Sequence, residues 1–567
     1  MTKVALIGAV CVLAACAGTD AVPPTGILPG TADGANLRLA QVVLTQGAQE
    51  PDGSIPLVAG MPAAVNVMIA RSKESAREVP VVLRLFRGSA VVRIDTTRTV
   101  GILGPSISPA SPSAQFLIPA EMVNDSLSWQ VEIDPAQSVA DSTRVDNQLP
   151  EGAPQSLSIV HLPTLDVHFV PIALATQGDV MGDVSELNAA QYLAAARAML
   201  PTGRVTFSIG AAVSVQANFG TRPDGGDTGF WQSALTDLDV ARMLSSSPAS
   251  TWYGIVPFPA GYTRLVHGGY SYIPSVPSDV GGGSRSAISL GFTSQFGAAY
   301  IRETVAHELG HQSGRSHAPG CGAIAPLDTL FPGALGTITT PGHDVFSWST
   351  GLTNGARSRA GSTGDVMSYC YDVWSSSYTW NAVMKWRQAS GAVATSTVRT
   401  SVTLVAGSIG RDGAVTLRPA LTADAQMPAD DPQGDVTVEL RGASGSVLRS
   451  VRVRSSALSE SSGERQFIAL LRSAGSAAID IVATTGAGAS ARLQRNMGPD
   501  VIAARVTASG ATEITSSAGN ALLVRNAADG EVLSIGWNGR VLLRNAGNWT
   551  VTVSDGVRSQ RREVQMR

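Results

Sequence analysis

The sequence has few of the features that a nucleic-acid-binding protein needs. Its 41 basic and 44 acidic residues leave a formal net charge of −3, and neither sign forms a long block. Lysine occurs only at Lys3, Lys73 and Lys385. Because a nucleic-acid partner requires a concentrated basic surface, this charge pattern argues against one. Aromatic residues make up only 5% of the chain, whereas glycine (59) and proline (31) are abundant, which favours short strands joined by turns.

Long apolar runs are also missing from the sequence. No stretch after the N-terminus has the roughly 20 consecutive apolar residues of a transmembrane helix. Residues 4–15 are apolar or small and follow Lys3, which indicates an export signal that is too short to span a bilayer.

The end of this signal reads Leu13-Ala14-Ala15-Cys16, which resembles the lipobox of bacterial lipoproteins. The resemblance implies cleavage before Cys16 and acylation of that cysteine. The protein would then be lipid-anchored at the bacterial cell surface, in the outer membrane if the source is Gram-negative. The alternative is an ordinary cleaved signal and a secreted, soluble protein.

A chain of 567 residues is expected to form two to four domains. Residues 1–15 are assigned to the signal, and residues 16–35, rich in Pro, Gly, Thr and Ala, to a flexible tether. Period-two alternation predicts half-buried strands and an immunoglobulin-like β module over residues 36–160. The alternation is clearest at Leu127, Trp129, Val131 and Ile133.

Strands and helices alternate over residues 161–395, which predicts an α/β domain. Helices are predicted from Glu186 to Leu200, with Asp183 or Ser185 as the cap, and near Trp231–Leu244. The β pattern then returns, and residues 400–567 are predicted to form one or two C-terminal β-sandwich modules. The supporting features are alternation at Val436, Val438 and Leu440, a turn at Asn538-Gly539, and a last strand through Trp549, Val551 and Val553. The fold class is therefore multidomain, with an α/β domain between all-β sandwich modules.

The strongest chemical signal is the segment His307-Glu308-Leu309-Gly310-His311-Gln312-Ser313-Gly314-Arg315-Ser316-His317, which follows a helix-compatible run from about Ala298. Histidines four residues apart on a helix share one face, so His307 and His311 can bind a single ion. Gly314 permits a sharp turn with positive φ, which would bring in His317 as a third ligand. Three neutral imidazoles leave one position open for water, as in catalytic zinc sites. Glu308 would accept the proton of that water.

This eleven-residue pattern resembles the zinc motif of the metzincin clan of metallopeptidases. The resemblance implies a methionine turn downstream, and Asp365-Val366-Met367-Ser368-Tyr369-Cys370 is similar to one. Met367 would form an apolar floor beneath the ligands, and Tyr369 would approach the metal or stabilise the oxyanion. The matching motifs cover only residues 298–372.

The function implied by the resemblance is that of a zinc-dependent endopeptidase. Such an enzyme would carry one catalytic zinc ion in a metzincin-like α/β domain. It would hydrolyse peptide bonds of extracellular or cell-surface proteins or glycoproteins, with Glu308 as the general base.

The resemblance also implies that Cys321 and Cys370 lie close to the zinc. We expect a disulfide between them, because an exported chain meets oxidising conditions. Two free buried thiols are the alternative.

Several other features have a functional and a structural interpretation. Asp224-Gly225-Gly226-Asp227 could bind calcium, although a plain polar turn explains the same residues. The aromatic residues after Cys370 could line a specificity pocket or pack in the core; they are Tyr371, Trp374, Tyr378 and Trp380. No role is assigned to the remaining histidines, which are His161, His168, His267 and His343.

Two other functions compete with the metzincin interpretation. The first is a thermolysin-like peptidase with a downstream glutamate as third ligand, which the Gly314 and His317 spacing disfavours. The second is a surface adhesin or carbohydrate-binding protein that retains the domain for binding alone. An intact base beside an intact ligand set disfavours that second function.

Overall fold

The computed structural model describes residues 36–73, 77–104, 108–178, 180–220, 229–258, 267–277, 284–390, 398–496, 501–544 and 547–565. The predicted signal, the tether, Cys16 and the calcium candidate at residues 224–227 lie outside these ranges. None of the helices in the described ranges is long and apolar enough to cross a bilayer.

The N-terminal part of the chain is a β-sandwich over Leu37–Val160, close to the predicted range 36–160. Its strands are β1 (Leu37–Thr45), β2 (Leu57–Val58), β3 (Ala63–Arg71), β4 (Val79–Arg87), β5 (Ala90–Thr99), β6 (Ile102–Leu103), β7 (Ala114–Ile118), β8 (Leu127–Ile133), β9 (Gln148–Leu149), β10 (Gln155–Ser156) and β11 (Ile159–Val160). One sheet has the order β1-β3-β6 with β7 also on β3, and the other has the order β10-β8-β4-β5 with β9 on β8. The inward apolar residues of both sheets share one core, as the alternation along β8 predicts.

The middle of the chain alternates strands and helices. Its strands are β12 (Leu165–Leu174), β13 (Val180–Met181), β14 (Val205–Ile209), β15 (Val213–Val215), β16 (Thr251–Val256), β17 (Gly269–Ile273), β18 (Ser286–Leu290), β19 (Gly342–Asp344), β20 (Arg357–Arg359), β21 (Gly364–Asp365) and β22 (Val373–Trp374). Its helices are α1 (Ala189–Tyr192), α2 (Ala194–Met199), α3 (Phe230–Met243), α4 (Ala298–Gln312), α5 (Val345–Ser349) and α6 (Ser377–Ser390).

The sheet of this middle part is mixed. Strand β12 pairs in parallel with β14, β15 and β16, and β16 pairs in parallel with β18. Strand β17 is antiparallel to β18. Helix α3 packs on this sheet, and α4 lies between α2 and the strands β17 and β18. Strands β16 and β18 and the second half of β12 are almost completely buried, as expected of strands covered on both faces.

The C-terminal part is all β, as predicted. Its strands are β23 (Arg399–Ile409), β24 (Val415–Leu417), β25 (Leu421–Gln426), β26 (Val436–Arg441), β27 (Val447–Val453), β28 (Ser456–Leu458), β29 (Arg465–Arg472), β30 (Asp480–Thr485), β31 (Ser490–Gln494), β32 (Ile502–Val506), β33 (Thr512–Ser516), β34 (Ala521–Asn526), β35 (Val532–Gly536), β36 (Arg540–Leu543), β37 (Asn548–Ser554) and β38 (Ser559–Gln565). Two apolar clusters lie within it, and other C-terminal residues, such as Val402, Leu470 and Leu523, belong to the core cluster of the middle part.

The C-terminal strands join the middle sheet at two places. Strand β28 pairs with β17, and β35 pairs with β15 through one residue pair. One sheet of sixteen strands therefore runs through the middle and C-terminal parts. The sequence pattern predicts C-terminal modules that flank the middle part, and it carries no signal for this connection.

Two local predictions are wrong. The helix predicted from Glu186 to Leu200 starts at Ala189 and is interrupted at Leu193. Asp183 does not cap it, because its carboxylate accepts hydrogen bonds from the Tyr192 hydroxyl (2.6 Å) and the Thr293 backbone N–H (3.1 Å). No side chain caps α1, so the predicted Ser185 cap is also wrong.

The strand through Trp549, Val551 and Val553 is not the last one. It is β37, and β38 follows it as an antiparallel partner.

Candidate metal centre

Helix α4 carries the first part of the predicted metal motif. The Gln312 side chain fixes its C-terminal end, since the Gln312 amide donates to Ser271 Oγ (2.8 Å), to the Tyr272 carbonyl (3.0 Å) and to the Ser286 carbonyl (2.8 Å). These three bonds hold the end of the helix against strands β17 and β18. The motif is therefore placed at the β17 side of the sheet.

The chain turns sharply after α4 at Gly314, as predicted. Gly314 has φ +71°, in the left-handed region that favours glycine. A Cβ atom there would lie 2.4 Å from the Trp386 ring, so close packing also excludes a side chain. The turn directs His317 back toward the helix, and its backbone N–H donates to the Pro326 carbonyl (3.0 Å).

The three predicted histidine ligands converge on one point. The Nε2 atom of His311 lies 3.0 Å from Nε2 of His307 and 3.1 Å from Nε2 of His317. His311 and His317 are fully buried, and His307 is 9% exposed. Two histidines from one helix and a third from the following turn thus present the same ring atom to a shared centre.

A backbone carbonyl orients each ring from behind. The Nδ1 atoms lie next to the carbonyl oxygens of Val366 (2.7 Å), Arg315 (2.6 Å) and Ile324 (2.8 Å). Carbonyls only accept, so each neutral ring carries its proton on Nδ1 and turns the Nε2 lone pair toward the centre.

The electrostatics of the cluster favour the neutral rings. Burial lowers the pKa of His307 to about 4, and burial together with the neighbouring histidines lowers the pKa of His311 well below its usual range. Three lone pairs at about 3 Å repel one another unless a cation lies between them. The residues present therefore fit a metal ion.

A fourth group, Glu460, completes the cluster. Its Oε1 atom lies 3.4 Å from His317 Nε2, and Oε2 lies 3.3 Å from His267 Nδ1 and accepts a hydrogen bond from the Tyr369 hydroxyl. Burial alone would raise the pKa of Glu460, but its contacts with these three side chains outweigh burial and hold the pKa well below the ordinary value. The carboxyl group faces the centre.

Sequence reasoning missed both Glu460 and His267. Glu460 lies in the loop between β28 and β29, inside the region predicted as a C-terminal module, and no motif surrounds it. Only the contact between β28 and β17 brings it to the histidines. His267 received no role because no partner is close in sequence.

The other histidines without an assigned role lie away from the centre. His161 is exposed and contacts Asp125, and His168 contacts Ser208. His343 is buried against Asn66 of the N-terminal sandwich.

Glu308 lies beside the centre with its side chain buried. It is 2% exposed, and its Oε2 atom has no hydrogen-bond partner among the described residues. Its other oxygen rests against Gly269, where a Cβ atom would come within 2.3 Å of it. Burial, followed by the negative charge of Glu460, raises the pKa of Glu308 well above its ordinary value. Such a carboxyl group can retain a proton that it accepts.

Met367 lies beneath the histidine-bearing helix, as the methionine turn implies. A Cβ atom on Gly310 would come within 2.3 Å of the Met367 sulfur, which shows how closely the turn packs on α4. The buried Asp365 carboxylate holds the turn by accepting from the backbone N–H groups of Met367 (2.8 Å) and Ser376 (2.9 Å). The Tyr369 ring lies 4.9 Å from the His317 ring, centroid to centroid.

The predicted disulfide between Cys321 and Cys370 is present. It joins the loop after His317 to the methionine turn.

The aromatic residues after Cys370 have different positions. Trp374 and Trp380 are each 1% exposed and belong to the core, and the Tyr378 hydroxyl bonds to Asp328. Tyr371 is 96% exposed and lines a cleft of about 530 Å³ over the centre. His267, Tyr300, Glu308 and Glu460 are also among the residues that line this cleft.

Comparison with known proteins gives no assignment. No protein-family model and no curated protein matches the sequence. Two structures of a β-glucuronidase from Parabacteroides merdae align at 9% and 10% identity with TM-scores of 0.14 and 0.15, over 94% of this chain and 77% and 78% of theirs. A glycosyl hydrolase family 2 member from Bacteroides cellulosilyticus aligns at 11% identity with a TM-score of 0.14, over 93% of this chain and 79% of that chain. TM-scores this low do not establish a shared fold, so these likenesses carry no conclusion about the site.

Proposed function

We propose that this protein is a zinc-dependent endopeptidase of the metzincin type. The observation that carries the proposal is the convergence of three Nε2 atoms, from His307, His311 and His317, beside the buried carboxyl group of Glu308. A structural role for the histidines alone would not require all three lone pairs to face one point. The same residues carry the resemblance to the metzincin motif.

Zinc is the metal that this donor set suits best. Imidazole nitrogens are favoured zinc ligands, and donors at 2.0–2.1 Å from a tetrahedral zinc ion lie about 3.3 Å from one another. The observed Nε2 separations of 3.0 and 3.1 Å are close to that value. The carbonyl groups behind each ring supply the outer hydrogen bonds that are usual for metal-bound histidine.

When bound, zinc would act as a Lewis acid on the attacking water and on the peptide carbonyl. Glu308 would accept the proton of the attacking water at its carboxylate and return it to the leaving amine nitrogen. Because the Glu308 side chain is buried, bulk water has little access to the proton that it accepts. The Tyr369 hydroxyl, adjacent to the same centre, would donate a hydrogen bond to the developing oxyanion once Glu460 no longer accepts from it.

The thermolysin-like alternative gains little support. A downstream glutamate does join the cluster, but it does so in addition to His317, whose Nε2 atom is already 3.1 Å from that of His311. The adhesin alternative would give no role to the buried Glu308 carboxyl group, whose Oε2 atom has no hydrogen-bond partner among the described residues.

We also propose that the protein is exported and lipid-anchored through Cys16. The support is the apolar segment that ends in Leu13-Ala14-Ala15-Cys16. Mass spectrometry of the mature protein from membranes should find an acylated Cys16 at its N-terminus, and the Cys16→Ala variant should leave the membrane fraction. An unmodified Cys16 on a membrane-extracted protein would contradict the anchor.

Replacing Glu308 with glutamine tests the peptidase proposal. A glutamine keeps the size of the side chain but cannot accept the proton, so we expect about 10²–10⁴-fold less hydrolysis with zinc content unchanged. Metal content is measured by mass spectrometry. Cleavage of casein and of a mixed peptide library is measured in the wild-type background and also in the Glu460→Ala background, in which no side chain at position 460 covers the centre.

Glu121→Gln is the control, since Glu121 is an exposed residue of the N-terminal β-sandwich and does not line the cleft. It should leave hydrolysis unchanged. Zinc without hydrolysis in both backgrounds would refute the peptidase proposal.

A further inference from the structure

Strand β28 occupies the edge of β17 beside the candidate metal centre. Strand β17 pairs with β18 on one side, and two residue pairs join it to the antiparallel β28 on the other. Ser459 extends this ladder, because its backbone N–H donates to the Ser271 carbonyl (2.9 Å) and its Oγ accepts from the Ser271 N–H (3.0 Å).

The edge of β17 is the place where an extended peptide would bind. Peptides commonly add to a sheet as an extra strand through main-chain hydrogen bonds. Gly269 at the start of β17 contacts the Glu308 carboxyl group, so a peptide on this edge would pass the proposed base. Strand β28 makes the hydrogen bonds that such a peptide would need.

Glu460 follows this strand directly and points into the histidine cluster. Its side chain is only 7% exposed. Its carboxyl oxygens lie 3.4 Å from His317 Nε2 and 3.3 Å from His267 Nδ1, and one of them also contacts the Tyr369 hydroxyl. The carboxyl group is therefore within reach of an ion that His317 would bind. Three histidines with a glutamate would close a four-coordinate site, whereas a catalytic site keeps one position open.

We propose that the segment Ser456–Glu460 is a built-in inhibitor, which holds the substrate edge with β28 and the fourth metal position with Glu460. This inference rests on the proposed peptidase function. Turnover then requires the segment to leave both positions.

Few strand pairings hold the inhibitory segment in place. Strand β28 makes two residue pairs with β17 and two with β29, and Glu460 lies in the loop that leads into β29. Strand β29 is anchored separately, because Gln466 accepts hydrogen bonds from the Tyr272 hydroxyl (2.6 Å) and from Thr236 Oγ1 (3.0 Å). Withdrawal of the loop would therefore free the centre while β29 stays in place.

Glu460→Ala in the full-length, zinc-loaded protein tests the inhibitor. We expect at least about tenfold faster casein hydrolysis than in the wild type, because the fourth position opens. Binding of acetohydroxamate, a small bidentate zinc ligand, is measured by calorimetry as a second readout that needs no turnover. Its affinity should rise at least about tenfold in Glu460→Ala, which corresponds to about 1.4 kcal/mol.

Glu464→Gln is the control, because Glu464 lies in the same loop and bonds to Ser461 rather than to the cluster. It should match the wild type in both readouts. Equal acetohydroxamate affinity in the wild type and Glu460→Ala would overturn the inhibitor, and so would slower hydrolysis in Glu460→Ala. Raised affinity without hydrolysis in any variant would support Glu460 as the blocking ligand and refute the peptidase function.

Discussion

Replacing His311 with alanine should remove the bound zinc and all hydrolysis with it. His311 is the central member of the cluster, since its Nε2 atom lies 3.0 and 3.1 Å from those of the other two histidines. The ring is fully buried, so its loss also leaves the Arg315 carbonyl without its hydrogen bond. The remaining His307, His317 and Glu460 no longer form the three-histidine set, so zinc affinity should fall far below that of the wild type. Metal content after dialysis against one equivalent of zinc measures the effect.

The matched control for this variant is His161→Ala. His161 is exposed and bonds only to Asp125 on the surface, so its removal should leave the zinc content at the wild-type value. Circular dichroism of both variants checks that the sheet structure is intact. Retention of wild-type zinc by His311→Ala would exclude the proposed ligand set.

Removal of the disulfide should produce the second large effect. Cys321 and Cys370 are 49 residues apart, and closing a loop of that length stabilises a fold by about 4 kcal/mol in the chain-entropy model. The Cys321→Ala/Cys370→Ala variant should therefore unfold about 10 °C lower in the transition of the middle domain, measured by calorimetry. Zinc affinity should fall as well, because the bond ties the loop after His317 to the methionine turn.

Chemical reduction provides the control for the disulfide. A reducing agent should lower the unfolding temperature of the wild type and leave that of the double variant unchanged. If the reducing agent lowered the unfolding temperature of both proteins equally, its effect would not come from the bond between Cys321 and Cys370. An unchanged unfolding temperature in the double variant would contradict the stabilising role.

Much of the site could be predicted because its main signals are local in sequence. The helix periodicity and Gly314 place three histidines within eleven residues, so the local backbone alone sets their arrangement. The Cys321 to Cys370 pairing followed from the expected position of two motifs around one metal. The β-sandwich over residues 36–160 could be predicted because burial on one face imposes a period of two on the sequence.

Glu460 could not be predicted because its position depends on tertiary structure. A short strand of three residues, β28, carries no period, and only its pairing with β17 places the next residues at the centre.

The interruption of the predicted helix at Leu193 has a similar origin. The Asp183 carboxylate accepts hydrogen bonds from Tyr192 and Thr293 instead of capping the helix. These contacts depend on the tertiary structure and leave no signal in the sequence around α1.

The pairing of C-terminal strands with both β17 and β15 covers two strand edges of the middle sheet. Unpaired strand edges are templates for association with other chains, and proteins usually cover or charge them. Here the C-terminal modules pair with strands on both sides of the middle sheet. A fragment without those modules would expose both strand edges, so we expect it to self-associate more readily than the full chain.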